Sequence, residues 1–242
     1  MRRQLRLALL APALIGLAVV AAGCSDDENS TGSVITGTVF DPSGQPVAGA
    51  GILLEYTFGN ERVARALGDK PANGIEFQLP DPGRVRIWVT GACGQGTVRV
   101  LVDGELPAGS HVVWWNGRNE AGQIMPPGMY TMHVQTRTSR SERDMYFDGG
   151  IWPPSPPLDA REWLIFTDAD GRFTLPLGCL PFGQSIVATD ETGEPLYTLT
   201  IQNEARFWAV DADLGVISTS SVPVDPDQGA QVELRYLGKG DD

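Results

Sequence analysis

Histidine and cysteine are scarce in this chain, with two and three residues among 242. Metal centres and nucleophile–base pairs draw on those side chains, so little material remains for either, and no cofactor or metal is expected. Basic residues are also short: 18 Lys and Arg face 30 Asp and Glu, for a formal charge of −12. A chain this acidic is repelled by a phosphate backbone, which argues against nucleic acid as a partner. The Gly-x-Ser-x-Gly elbow of one hydrolase class is absent. No window sustains a 3.6-residue apolar repeat, so long amphipathic helices are not expected. What is abundant is glycine (29) and proline (18), about a fifth of the chain, against roughly 12% usually. With 42% hydrophobic residues the chain can bury a core, and the combination reads as a folded, turn-rich protein.

The N-terminus reads as an address. Arg2, Arg3 and Arg6 precede an uncharged run, Leu7 to Ala22, of mostly Ala, Leu, Val and Ile. Sixteen helical residues reach about 24 Å, short of a hydrocarbon core of roughly 30 Å, so a signal peptide fits better than a membrane span. The run ends Ala21-Ala22-Gly23-Cys24. This resembles a bacterial lipobox, with Ala21 where Leu is usual; the competing reading is an ordinary signal peptide with an incidental cysteine. The resemblance implies that residues 1–23 are removed, that Cys24 is acylated (palmitate included), and that the chain is anchored to a membrane. Loss of three arginines takes the formal charge from −12 to −15. Residues 24–33 are then a flexible acidic tether without an apolar side chain after Cys24. Ser25 after the cysteine implies the outer membrane, periplasmic or surface-facing, in the cell envelope.

From Val34 on, apolar residues alternate in short segments: Val34–Phe40, Ile75–Leu79, Val85–Val89, Val98–Val102, Tyr130–Val134, Phe173–Leu177 and Val232–Tyr236 among them. Asp41-Pro42-Ser43-Gly44, Asp103-Gly104, Asn116-Gly117 and Asp170-Gly171 read as the turns between them. Such spacing predicts an all-β protein of two β-sandwiches.

Two families are resembled. Val34-Ile-Thr-Gly-Thr-Val-Phe-Asp-Pro-Ser-Gly, followed by Pro46-Val47-x-Gly49-Ala50, and later Thr167-Asp-Ala-Asp-Gly-Arg-Phe173, are similar to the carboxypeptidase regulatory-like domain, a prealbumin-like sandwich. Between these pieces, Gly83-Arg-Val-Arg-Ile-Trp-Val89, His111-Val-Val-Trp-Trp-Asn-Gly117 and Pro127-Gly-Met-Tyr130 resemble the Ig-like domain of the flagellar hook-capping protein, with Asn116 where Asp is usual. The resemblances imply an Ig-like guest at 63–140 inserted in a host formed by 34–62 and 160–238, with a Pro-rich linker at 141–159 stiffened as polyproline II by Pro153-Pro154-Ser155-Pro156-Pro157. Packing of Val34–Phe40 beside Phe173–Leu177 is the test of that arrangement.

Candidate chemistry is thin. Asp168-x-Asp170-Gly171 reads as a hairpin turn rather than a calcium loop, because Arg172 and Cys179 stand where further ligands would be needed. His111 and His133 fall in strands and read as solvent-facing, without an orienting acid. Cys93 and Cys179 are a candidate disulfide between guest and host, against the reading of two separate thiols. Of the adjacent Trp114 and Trp115, strand alternation allows one inside and sends the other to the surface. Trp114, Trp152, Tyr146 and Phe147 are candidate partner contacts; for the last three the competing reading is that they pin the linker onto a sandwich.

The sequence therefore reads as a non-catalytic, lipid-anchored envelope protein, a structural or protein-interaction module. The alternative is a carbohydrate-binding accessory lipoprotein using surface aromatics. The partner, envelope protein or glycan, is not named by the residues.

Overall fold

A computed structural model describes residues 33–59, 74–91, 96–189 and 195–237. About three-fifths of the described residues are strand, with two short 3-10 turns, Leu158–Ala160 and Leu177–Cys179, and no α-helix among them. In chain order the strands are β1 (Val34–Phe40), β2 (Gly51–Phe58), β3 (Gly74–Leu79), β4 (Gly83–Gly91), β5 (Thr97–Leu106), β6 (Gly109–Trp114), β7 (Gly128–Gln135), β8 (Arg140–Phe147), β9 (Ile165–Phe166), β10 (Arg172–Pro176), β11 (Ser185–Thr189), β12 (Pro195–Asp211), β13 (Gly215–Pro223) and β14 (Ala230–Arg235). The all-β, two-sandwich fold class read from the sequence is the observed one.

One sandwich is built from both ends of the chain. Its first sheet has the order β10-β1-β14, and its second runs β11-β12-β2-β9 with β13 also on β12. β1 lies antiparallel to β10, from Val34 opposite Pro176 to Thr38 opposite Arg172, and parallel to β14. The other sandwich is contributed wholly by residues 74–147: β3 with β6, and β5-β4-β7-β8. Each has its own core. Ile35, Leu54, Phe173, Phe207 and Leu234 belong to the first, and Ile87, Trp115, Met132 and Phe147 to the second. The alternation explains the placement. Val85, Ile87 and Val89 are buried, while Arg84 and Arg86, which alternate with them, are exposed and Trp88 is half-buried, as an antiparallel sheet with one face toward the core shows.

Two local expectations need correction. The inner sandwich does not end at 140 and the linker does not begin at 141: β8 is a full strand of the sheet, Gln135 opposite Arg140 and Gly128 opposite Phe147. Its first half, Arg-Ser-Glu-Arg-Asp, is charged because β8 pairs only with β7 and its other edge meets water, where charge blocks unwanted pairing. That hides the period-2 signal. Asp103-Gly104 is not a turn; it lies inside β5, with Gly104 opposite Val85.

The segment that returns from the inner sandwich to the outer one, residues 148–164, is packed rather than free. Trp163 lies over Gly51 and forms a third cluster with Leu53 and Val210 on the outer face of the β2–β12 sheet. Trp152 meets Trp208 with ring centroids 5.7 Å apart. On the other side, Ile124 N–H donates to Ala160 O at 3.2 Å, Glu162 N–H to Ile124 O at 2.8 Å, and Asn119 Nδ2 to Glu162 Oε1 at 2.9 Å. One segment thus holds both sandwiches. Replacing Trp163 with Ala removes a buried indole and is expected to cost about 3–5 kcal/mol, read as a lower urea midpoint; an unchanged midpoint contradicts this packing.

Candidate functional site

The candidate residues separate sharply once placed. Trp115 is buried and donates its Nε1–H to Arg118 O at 2.8 Å, while its neighbour Trp114 is 55% exposed. Phe147 is buried in the inner core, and Tyr146 packs against the outer core, edge-on to Tyr56 and Phe58. Trp152 is half-buried, its Nε1–H held by Asp148 O at 2.7 Å. Tyr146, Phe147 and Trp152 therefore do not form an exposed contact patch; they fasten the return segment and its flanking strand. The reason is that β8 turns both Met145 and Phe147 inward and carries Tyr146 to the junction. Trp114 alone of the four is free to meet a partner.

Cys179 sits half-buried in the Leu177–Cys179 turn and is disulfide-bonded. Cys24 and Cys93 lie outside the described residues, as do residues 1–23, expected to be a signal peptide, and nearly all of residues 24–33, expected to be a tether. The Asp168 turn is a turn. Its Oδ1 accepts the N–H groups of Asp170 at 2.9 Å and Arg172 at 2.8 Å, and Gly171 takes φ +69° with no room for a Cβ, which would lie 2.7 Å from Val39 O. Among the described residues no three His, Cys, Asp or Glu side chains converge as a metal site.

The histidines are not both solvent-facing. His111 is half-buried, with Nε2 2.8 Å from Pro107 O and its ring stacked on Phe77. His133 is buried, 7% exposed, because β7 lies between β4 and β8 and Trp88 stacks flat on its ring at 4.9 Å. Its Nε2 is 2.8 Å from Thr90 Oγ1, and Glu142 Oε1 lies 3.0 Å from Nδ1. Arg86 and Arg140 sit 5.4 and 5.6 Å from the centre of the Trp88 ring. This hydroxyl–imidazole–carboxylate row was invisible in the sequence, since it assembles from three strands whose register no local motif encodes. It has the order of a nucleophile relay, and Thr90, next to last in β4, stands opposite Thr97 of β5 and Thr131 of β7. The row is a brace across the sheet.

A cavity of about 190 Å³ opens where the sandwiches meet, between Tyr56, Leu175 and Leu180 on one side and Pro127, Met129 and Tyr130 on the other. Its walls are mostly apolar. The Tyr56 hydroxyl is buried without a partner and burial pushes its pKa far above the ordinary 10.0. Tyr130 is shifted the same way for the same reason, and its hydroxyl donates to Pro126 O at 2.7 Å. Neither phenol supplies a base near neutral pH.

The His133 ring, and then Arg140, hold the Glu142 carboxyl below its ordinary 4.5. A depressed folded pKa means that this contact stabilises the fold above about 4.5 and is lost as pH falls through the lowered value. The melting-temperature difference between the parent chain and Glu142→Gln is therefore expected to be largest near neutral pH and to vanish in acid. A difference independent of pH contradicts the pairing.

Residues 65–140 match the family described as the FlgD Ig-like domain, the segment that supplies β3 to β7 and in which the sequence reading placed an Ig-like guest. No curated protein and no solved structure matches the chain.

Proposed function

We propose that this protein is a non-catalytic interaction module of the bacterial cell envelope, anchored through lipid on Cys24, with its outer sandwich a carboxypeptidase regulatory-like domain and its inner one an Ig-like domain. The observation that carries this reading is the packing of the 148–164 segment on both sandwiches, through Trp163 on Leu53 and Glu162 on Ile124. Such a body presents surfaces at fixed mutual geometry, which suits docking rather than chemistry. The Ig-like match supports a structural or interaction role, and the acidic, apolar-poor composition of residues 24–33 suits a tether between a lipid anchor and the body. Two or three acyl chains on one cysteine would hold it firmly, at about 0.8 kcal/mol per buried CH₂. A saccharide-binding accessory role is the second reading, favoured by the exposure of Trp114.

Radiolabelled palmitate is expected to enter the parent chain and not Cys24→Ala, with the label fractionating with envelope membranes. Equal labelling of both, or an unlabelled parent chain in the cytosol, contradicts the anchor.

Cys93 is the proposed partner of the disulfide-bonded Cys179. The bridge would link the β4–β5 connection of the inner sandwich to the outer one and close a loop of roughly 86 residues, contributing about 4–5 kcal/mol on the chain-entropy model. Alkylation of the unreduced mature protein is expected to leave its mass unchanged, and alkylation after reduction to add two groups on Cys93 and Cys179. Any alkylation of Cys93 before reduction contradicts the pairing.

A further inference from the structure

Four glycines among the described residues lie so close beneath an aromatic ring that a Cβ would come within 2.2–2.3 Å of it: Gly37 under Phe173, Gly51 under Trp163, Gly117 under Phe147 and Gly74 under Trp114. In the first three cases the ring is buried and the gap left by glycine is filled by core packing. The fourth ring, Trp114, lies over the Gly74 backbone in the same way and is 55% exposed. Nothing in the core requires it. Its indole nitrogen is distinctive too. Trp115, Trp152, Trp163 and Trp208 each donate Nε1–H to a protein acceptor, and Trp88 is stacked on His133. Trp114 has neither among the described residues.

The surroundings suit one class of ligand. Gly74 stands opposite Trp114, Glu76 opposite Val112, and Gln78 opposite Ser110. These six share the outward face of the β3–β6 sheet, in rows about 7 Å apart. Ser110 Oγ donates to Glu76 Oε1 at 3.1 Å, which holds the carboxylate in place while Oε2 can accept from a ligand. A flat apolar platform with a free N–H, and a fixed carboxylate and an amide one and two rows away, matches a pyranose ring, which has an apolar C–H face and hydroxyls at its rim. Glu76 and the chain's −12 charge disfavour anionic saccharides, while Arg143, whose Nη1 donates to Gly74 O at 3.2 Å beside the platform, is a nearby cation that the charged control has to test. We propose that this face binds an uncharged pyranose chain, with Trp114 stacking on one ring and Glu76 and Gln78 bonding the hydroxyls of the next. The site rests on the saccharide-binding reading given above and deepens it, and it is independent of the anchor: the face binds whether or not Cys24 carries lipid.

The test follows the indole N–H signals of the purified full chain by ¹H–¹⁵N NMR, with Trp114 assigned by its loss in Trp114→Phe. Neutral hexasaccharides of glucose, xylose, mannose and N-acetylglucosamine are the ligands, and polygalacturonate is the charged control. The Trp114 signal is expected to shift saturably with at least one neutral oligomer while the other indoles stay in place. Trp114→Ala is expected to weaken binding by about tenfold or more. Gly74→Ala, which displaces the ring, is expected to weaken it similarly while the remaining indole signals report an intact fold. The proposal is overturned if no neutral oligomer moves the signal, if polygalacturonate moves it equally, or if it moves with protein concentration alone, the sign of a contact between copies.

Discussion

The structure depends on the burial of the outer face of β2. Gly51, Ile52, Leu53 and Leu54 are consecutive and all buried, so this strand is dry on both sides. One side meets the core of its own sandwich. The other must be covered, and Trp163 with its neighbours from the return segment is the cover. A buried indole of roughly 200 Å² contributes about 5 kcal/mol as an upper bound. The same segment bonds the inner sandwich at Ile124 and Asn119. The path by which the chain leaves the guest is thus a structural layer of the host, and the two sandwiches share it.

Close approach of aromatic rings to glycine recurs throughout the fold. Opposite Gly37, Gly51 and Gly117 it brings a large ring against backbone and closes a core. Opposite Gly74 the same device yields a rigid platform in water. The glycine content that first reads as an excess of turns is therefore partly spent inside strands, as vacancies that rings occupy. The Thr90–His133–Glu142 row works in the same spirit on the opposite sheet: chemistry-bearing groups serve to fasten neighbouring strands.

Much of this was legible beforehand because it is local. Alternation at Val85, Ile87 and Val89 placed a strand and its inward face, and the Trp114–Trp115 pair declared one ring in and one out. The packing of Val34–Phe40 beside Phe173–Leu177 was anticipated from the resemblance of both pieces to one family, and β1 lies against β10. What escaped was set by register and edges. The charged start of β8 reads as linker because an edge strand needs no apolar face until Met145. His133 reads as exposed because its cover, Trp88, comes from a strand more than forty positions away. The fate of Trp152, Tyr146 and Phe147 turned on where the return segment lies, which no periodicity reports.

The central claim is that the two sandwiches move as one body. Residual dipolar couplings of the full chain measure this most directly, using amides of β4, β5 and β7 for the inner sandwich and of β1, β2 and β14 for the outer. The account predicts that a single alignment tensor fits both sets. Two tensors of different magnitude or orientation would contradict it.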